Sequence, residues 1–128
     1  MLNAFPVYAT VAAIDLDRAR RWYADKLGLS PEQESMGGLW YRFAGDAWLY
    51  VYATPSAGTA RNTVAGWTVT GIESVMADLR NRGVTFEDYD FGEVKTVDGL
   101  ADFGMAKAAW FTDSEGNVLE LSEVLAQP

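Results

Sequence analysis

The sequence predicts an α+β domain of two βαβββ modules, each with a small curved sheet whose one face lines a cleft. Three observations carry this. A short β-branched strand followed by an apolar-striped helix occurs once in each half. Sliding the first half onto the second lays Asp15 on Gly71, Leu16 on Ile72, Asp17 on Glu73, Ala19 on Val75 and Tyr23 on Leu79. Each half then contains a hairpin pattern around a turn of small and polar residues. At 128 residues the chain is one domain, 1–128. Module one covers about 5–54, a linker about 55–62 and module two about 63–125.

The elements follow in order. Val7–Ala13, bounded by Pro6 and Asp15, reads as a buried strand. Asp15 is a helix N-cap with Asp17 in the first turn. Leu16, Ala19, Trp22, Tyr23 and Leu27 recur at helical spacing until Gly28 ends the run. Pro31–Gly38 is a weak strand or loop, and Leu39–Ala44 with Ala47–Ala53 reads as a hairpin across Gly45-Asp46. Pro55–Asn62, rich in Ala, Gly, Ser and Thr, is the linker. Thr63–Val69 is the next strand, and Ile72, Val75, Met76 and Leu79 stripe a helix ending at Gly83. Val84–Asp88 reads as a strand and Tyr89–Met105 as a long acidic loop. Ala106–Thr112 and Val118–Val124 form the last hairpin, turning at Asp113–Asn117.

Composition excludes much chemistry. Ten Lys and Arg against eighteen Asp and Glu leave a net charge of −8, which disfavours nucleic-acid and anionic-membrane partners. No run is long enough for a transmembrane helix and no secretory leader is recognisable, so a cytoplasmic location is expected. Cysteine and histidine are both absent. Thiol nucleophiles, disulfides, imidazole relays and imidazole or thiolate metal sites go with them. Chemistry here must run on carboxylates, tyrosines, lysines or backbone groups.

Val11-Ala-Ala-Ile-Asp15-Leu-Asp-Arg-Ala, Trp22-Tyr23 and Leu27-Gly28-Leu29 in the first half resemble the vicinal oxygen chelate superfamily. So do Trp67–Glu73 and Trp110-Phe-Thr-Asp113-Ser-Glu-Gly116-Asn117-Val-Leu-Glu120-Leu in the second. That group contains glyoxalases, bleomycin-resistance proteins and extradiol dioxygenases, and Phe86–Asp90 with Lys95–Gly99 looks like an uncharacterised branch of it. The resemblance implies the glyoxalase/bleomycin-resistance/dioxygenase fold over residues 7–124. Its functional implication is broad, because one fold hosts isomerases, oxygenases, transferases and binding proteins. Metal-dependent relatives place His, Gln or Glu at sites that correspond here to Tyr8, Tyr50, Val64 and Glu120. One carboxylate, two phenols and a valine cannot supply the protein ligands of a catalytic zinc, so no metal and no cofactor is expected.

If position 8 faces the cleft, strand alternation also sends Thr10 and Ala12 there, and turns Val7, Ala9, Val11 and Ala13 to the helix. By the same parity Trp48, Tyr50 and Tyr52 face the cleft, as do Val64, Gly66 and Thr68, and Val118, Glu120 and Ser122. The ligand-binding candidates are therefore Tyr8, Thr10, Trp48, Tyr50, Tyr52, Val64, Thr68 and Glu120. Glu120 is also the candidate general base, and Tyr50 or Tyr8 the acid. A carboxylate hydrogen-bonded to Tyr8 or Tyr50 without turnover is the other reading of Glu120, and plain core is the other reading of the aromatics. Arg42, on the strand paired with the aromatic one, reads as a solvated edge cation or a contact for an anion.

The expected function is metal-independent binding of a small planar or cationic compound. A metal-free lyase or isomerase using Glu120 is the alternative, and the ligand positions argue against a metal-dependent glyoxalase or dioxygenase. The resemblance and the open sheet faces imply a homodimer.

Overall fold

The computed structural model describes residues 1–35 and 37–125. Met36, inside the predicted weak strand, and residues 126–128 lie outside the described residues. Among the described residues, nine strands and two α-helices run β1 (Ala9–Ala13), α1 (Leu16–Leu27), β2 (Gln33–Ser35), β3 (Gly38–Phe43), β4 (Ala47–Ala53), β5 (Thr63–Thr68), α2 (Ile72–Asn81), β6 (Thr96–Val97), β7 (Leu100–Asp102), β8 (Ala106–Thr112) and β9 (Val118–Val124). The first sheet has the order β1-β4-β3-β2 and the second β5-β9-β8-β7-β6. In each half the strand before the helix pairs in parallel with the last strand, Thr10 with Tyr50 and Gly66 with Glu120. The other pairs are antiparallel. β1 and β5 lie alongside each other, so the two sheets meet along these strands. None of the helices among the described residues is long and apolar enough to cross a membrane.

Capping explains the helix limits. The Asp15 carboxylate accepts from the Arg18 N–H, and Gly28 ends α1 in the left-handed region at φ 68°, where a side chain would be strained. α1 buries Ala19 and Tyr23, and α2 buries Ile72 and Met76. One apolar cluster takes residues from both halves: Val11, Tyr23, Tyr41 and Val51 from the first, Ile72, Met76, Phe111 and Leu119 from the second. Phe111 is its hub, stacked on Trp22 and Trp67 at 6.3 and 6.4 Å and meeting Phe86 edge-on at 5.6 Å.

Three expectations are corrected. β1 begins at Ala9, and Val7 is 90 % exposed where the strand reading had it facing the helix. Val84–Asp88 forms no strand; Phe86 makes a single bridge to Phe111. The second sheet is extended instead by β6 and β7, inside the segment read as loop. They join through Asp98 and Gly99, both at positive φ, the backbone of a tight two-residue hairpin turn. The linker also packs: Ala57 is buried, and a Cβ at Gly58 would strike the Glu115 carbonyl.

Candidate functional site

The polar clasp between the halves is the turn that joins β8 to β9. Asp113 accepts from the Glu115 and Asn117 N–H groups and from the Tyr23 hydroxyl at 2.7 Å. Burial, and then the Asp113 carboxylate, push the Tyr23 phenol well above its usual pKa. Asn117 Nδ2 donates to the Ala12 carbonyl. Glu115, its side chain fully enclosed, accepts from Ile14 N, Asp15 N and two nitrogens of Arg18 at 2.8–3.0 Å. The Arg18 hydrogen bonds lead in holding its carboxyl down at about 2.

On the face away from the helices, Tyr8 just before β1 and the strands β3 and β4 bring aromatic side chains together. The Trp40 and Tyr50 rings stack at 4.3 Å, and Tyr50 and Tyr52 at 5.8 Å and 12°. Tyr8 leans on Trp40 at 5.2 Å, and Trp48 meets Trp40 edge-on at 6.0 Å. The register produces this, because Trp40 stands opposite Tyr50 and Gly38 opposite Tyr52. The Tyr50 ring lies across Gly38, where a Cβ would overlap it unless the ring moved. Tyr8 and Tyr52 are 54 % and 36 % exposed, and Trp40, Trp48 and Tyr50 are half-buried. Leu49 and Val51, of opposite parity, are buried on the helix side. Thr10 is exposed beside Tyr50, and Ala9, Leu49 and Trp67 join Tyr8 and Trp48 in a cavity of about 340 Å³ where β1, β4 and β5 meet. Arg42 is an exposed cation paired with Glu32 and Asp46, and its guanidinium also covers Trp48 at 4.6 Å.

Glu120 sits on the second sheet, half-buried, and its partner is Trp110, whose indole Nε1 donates to Oε1 at 2.6 Å. The expected link to Tyr8 or Tyr50 is replaced, because Trp110 stands directly opposite Glu120 in the β8–β9 ladder. Val64 lies at a register shift between Thr63 and Ala65, in a polar recess with Thr10, Tyr52, Ser56, Thr59 and Asn117. Thr68 is exposed at the end of β5. The structure thus gathers Tyr8, Trp48, Tyr50 and Tyr52 into one wall, sets Thr10 and Val64 beside it, and gives Glu120 a separate aromatic partner.

Two residues are missing from the sequence-derived list, Trp40 and Trp110. Counting outward from each turn would have found both, since each stands opposite a candidate in its hairpin.

The four positions that correspond to metal ligands in relatives of this kind do not fit a catalytic metal. Val64 has no donor atom, the two tyrosines are poor ligands, and Glu120 alone supplies a carboxylate, one oxygen of which is held by Trp110. Among the described residues no group of three or more His, Cys, Asp or Glu is placed to hold an ion.

No protein-family model matches the chain, and no curated protein sequence matches it significantly. Solved structures do match. UcmS2 is 18 % identical, with 92 % of this chain and 98 % of that chain covered and a TM-score of 0.69. A glyoxalase/bleomycin resistance protein from Catenulispora acidiphila is 23 % identical, covering 94 % and 98 %, with a TM-score of 0.65. The fosfomycin resistance protein FosX from Listeria monocytogenes, in complex with Mn(II) and a dihydroxypropylphosphonic acid, is 14 % identical, covering 97 % and 91 %, with a TM-score of 0.61. These likenesses extend over nearly the whole length of each chain. The chain has the vicinal oxygen chelate fold, the architecture of the glyoxalase and bleomycin-resistance proteins.

Proposed function

We propose that the chain is a metal-independent binding protein that holds a small planar or cationic compound against the aromatic wall. The observation that carries this reading is the contiguous, partly exposed set Tyr8, Trp40, Trp48, Tyr50 and Tyr52. Rings arrayed this way offer π faces to a flat ligand, and the phenols can orient its polar groups. The Arg42 guanidinium already covers the Trp48 indole face, so a ligand would meet the wall on its other rings. A net charge of −8 enriches cations near the surface. The donor-poor set Tyr8, Tyr50, Val64 and Glu120 supports independence from metal.

The test is tryptophan fluorescence and thermal shift with a panel of planar aromatic cations, proflavine among them. Tyr50→Ala should weaken binding several-fold or more, because it removes a stacking face and a polar handle. Elemental analysis should find no stoichiometric transition metal, and chelators should leave the melting temperature unchanged. Binding unaffected by Tyr50→Ala, or tight zinc, nickel or iron at one per chain, would overturn the reading.

A second reading, a metal-free lyase or isomerase, draws on the Trp110–Glu120 hydrogen bond. That contact fixes the carboxylate on the open face as a base, with Tyr50 as acid. Turnover that disappears in Glu120→Gln would favour it over simple binding.

The proposal includes a cytoplasmic location and a homodimer. Leu2, Phe5 and Val7 are 76 %, 63 % and 90 % exposed beside Tyr8, an apolar strip that pairing would cover. Sedimentation should give a dimer at micromolar concentration; a monomer there counts against pairing.

A further inference from the structure

We infer that the chain carries a second small-molecule site, built by the linker and the loop after α2, for a planar aromatic carboxylate. A cavity of about 290 Å³ lies between these segments, and Arg61, Asn62, Tyr89, Phe91, Val94 and Trp110 are among its lining residues. Its rings are already arranged as a cradle. Tyr89 stacks on Phe91 at 5.3 Å and meets Trp110 edge-on at 5.6 Å. Phe91 remains 72 % exposed, with Tyr89 stacked on one side of it.

Charge selects the ligand class. Arg61 is the one charged side chain among the lining residues, and it takes part in none of the salt bridges among the described residues. A guanidinium presents paired N–H donors in a plane, the geometry that matches a carboxylate. Beside it Asn62 spends one amide hydrogen on the Thr63 carbonyl and keeps a second donor. A flat aromatic body against Tyr89, Phe91 and Trp110, with its carboxylate on Arg61, uses both the rings and the cation of this lining.

The site is distinct from the wall on β3 and β4. None of the wall aromatics is among its lining residues, and it meets the second sheet at Thr63, Trp110 and Val118, of which Trp110 also holds Glu120. Its segments belong to the parts of the chain that differ most between the two halves, the linker and the extension that carries β6 and β7.

Titration with 2-naphthoate and with neutral 2-naphthamide, read by tryptophan fluorescence, tests this. The carboxylate should bind about tenfold tighter than the amide, and Arg61→Gln should abolish that difference. Arg61 is exposed on the linker, so the variant keeps its fold. Phe91→Ala, at another exposed position, should weaken both probes. Equal affinity of the two probes, no effect of Arg61→Gln or of Phe91→Ala, or no binding at millimolar concentration would each overturn the site.

Discussion

Replacing Phe111 by Ala should destabilise the protein by about 3–5 kcal/mol, the range for a fully buried aromatic whose cavity cannot collapse. Phe111 is 0 % exposed and packs against Trp22 from the first half and Trp67 and Phe86 from the second. All three are large rings fixed by their own neighbours, so the void would persist. The melting temperature should fall by roughly 12–20 °C for a domain of this size. Because the residue touches both halves, the two should still melt together in a single transition, and calorimetric and van't Hoff enthalpies should agree. Two separate transitions, or a loss below about 1 kcal/mol, would mean that the shared core does not couple the modules.

Glu115→Ala should cost about 2–4 kcal/mol, or roughly 8–15 °C in melting temperature. Its carboxylate gathers two backbone N–H groups and the Arg18 guanidinium across the junction of the halves, and truncation leaves them without that acceptor. Arg18 is half exposed, so water recovers part of the loss, which places the figure below that of a wholly buried pair. The pH dependence has a definite sign. Folding lowers this carboxyl from 4.5 to about 2, so between those values the unfolded chain binds the proton and the native chain does not. The stabilisation is complete above about pH 4.5 and disappears as pH falls toward about 2. Melting curves of the wild type and Glu115→Gln should therefore converge at the acid end. A gap that stays constant from pH 7 to pH 2 would remove the charge from the explanation.

Much of the fold was legible because its signals are local or repeated. Asp15 and Gly28 delimit α1 by cap chemistry, and the apolar stripes place both helices. Alternation sorted Leu49 and Val51 from Trp48, Tyr50 and Tyr52 without any knowledge of neighbours. The β6–β7 hairpin escaped because its strands are two and three residues long, too short to show a period, although Asp98-Gly99 was a turn signal in plain sight. Val84–Asp88 has the composition of a strand, but Phe86 is claimed by an edge-on contact with Phe111 and the backbone pairs only once. At the site, residue types on one strand were readable, and cross-strand partners were not sought. Trp110 as the partner of Glu120 depends on the register of a whole hairpin, which follows once the turn Asp113–Asn117 is fixed.

The doubled architecture has a consequence for handedness of recognition. Tyr50 faces Thr10 across one parallel pair and Glu120 faces Gly66 across the other, each with a tryptophan opposite in its antiparallel ladder. Two identical halves would offer any guest two degenerate poses related by the pseudo-twofold axis. Here one half presents stacked rings and the other an acid tethered to an indole, so the poses differ in energy. Under the proposed binding role, an elongated, polar-ended guest would meet a surface with a direction, and end-for-end inversion would set its ends against unlike groups.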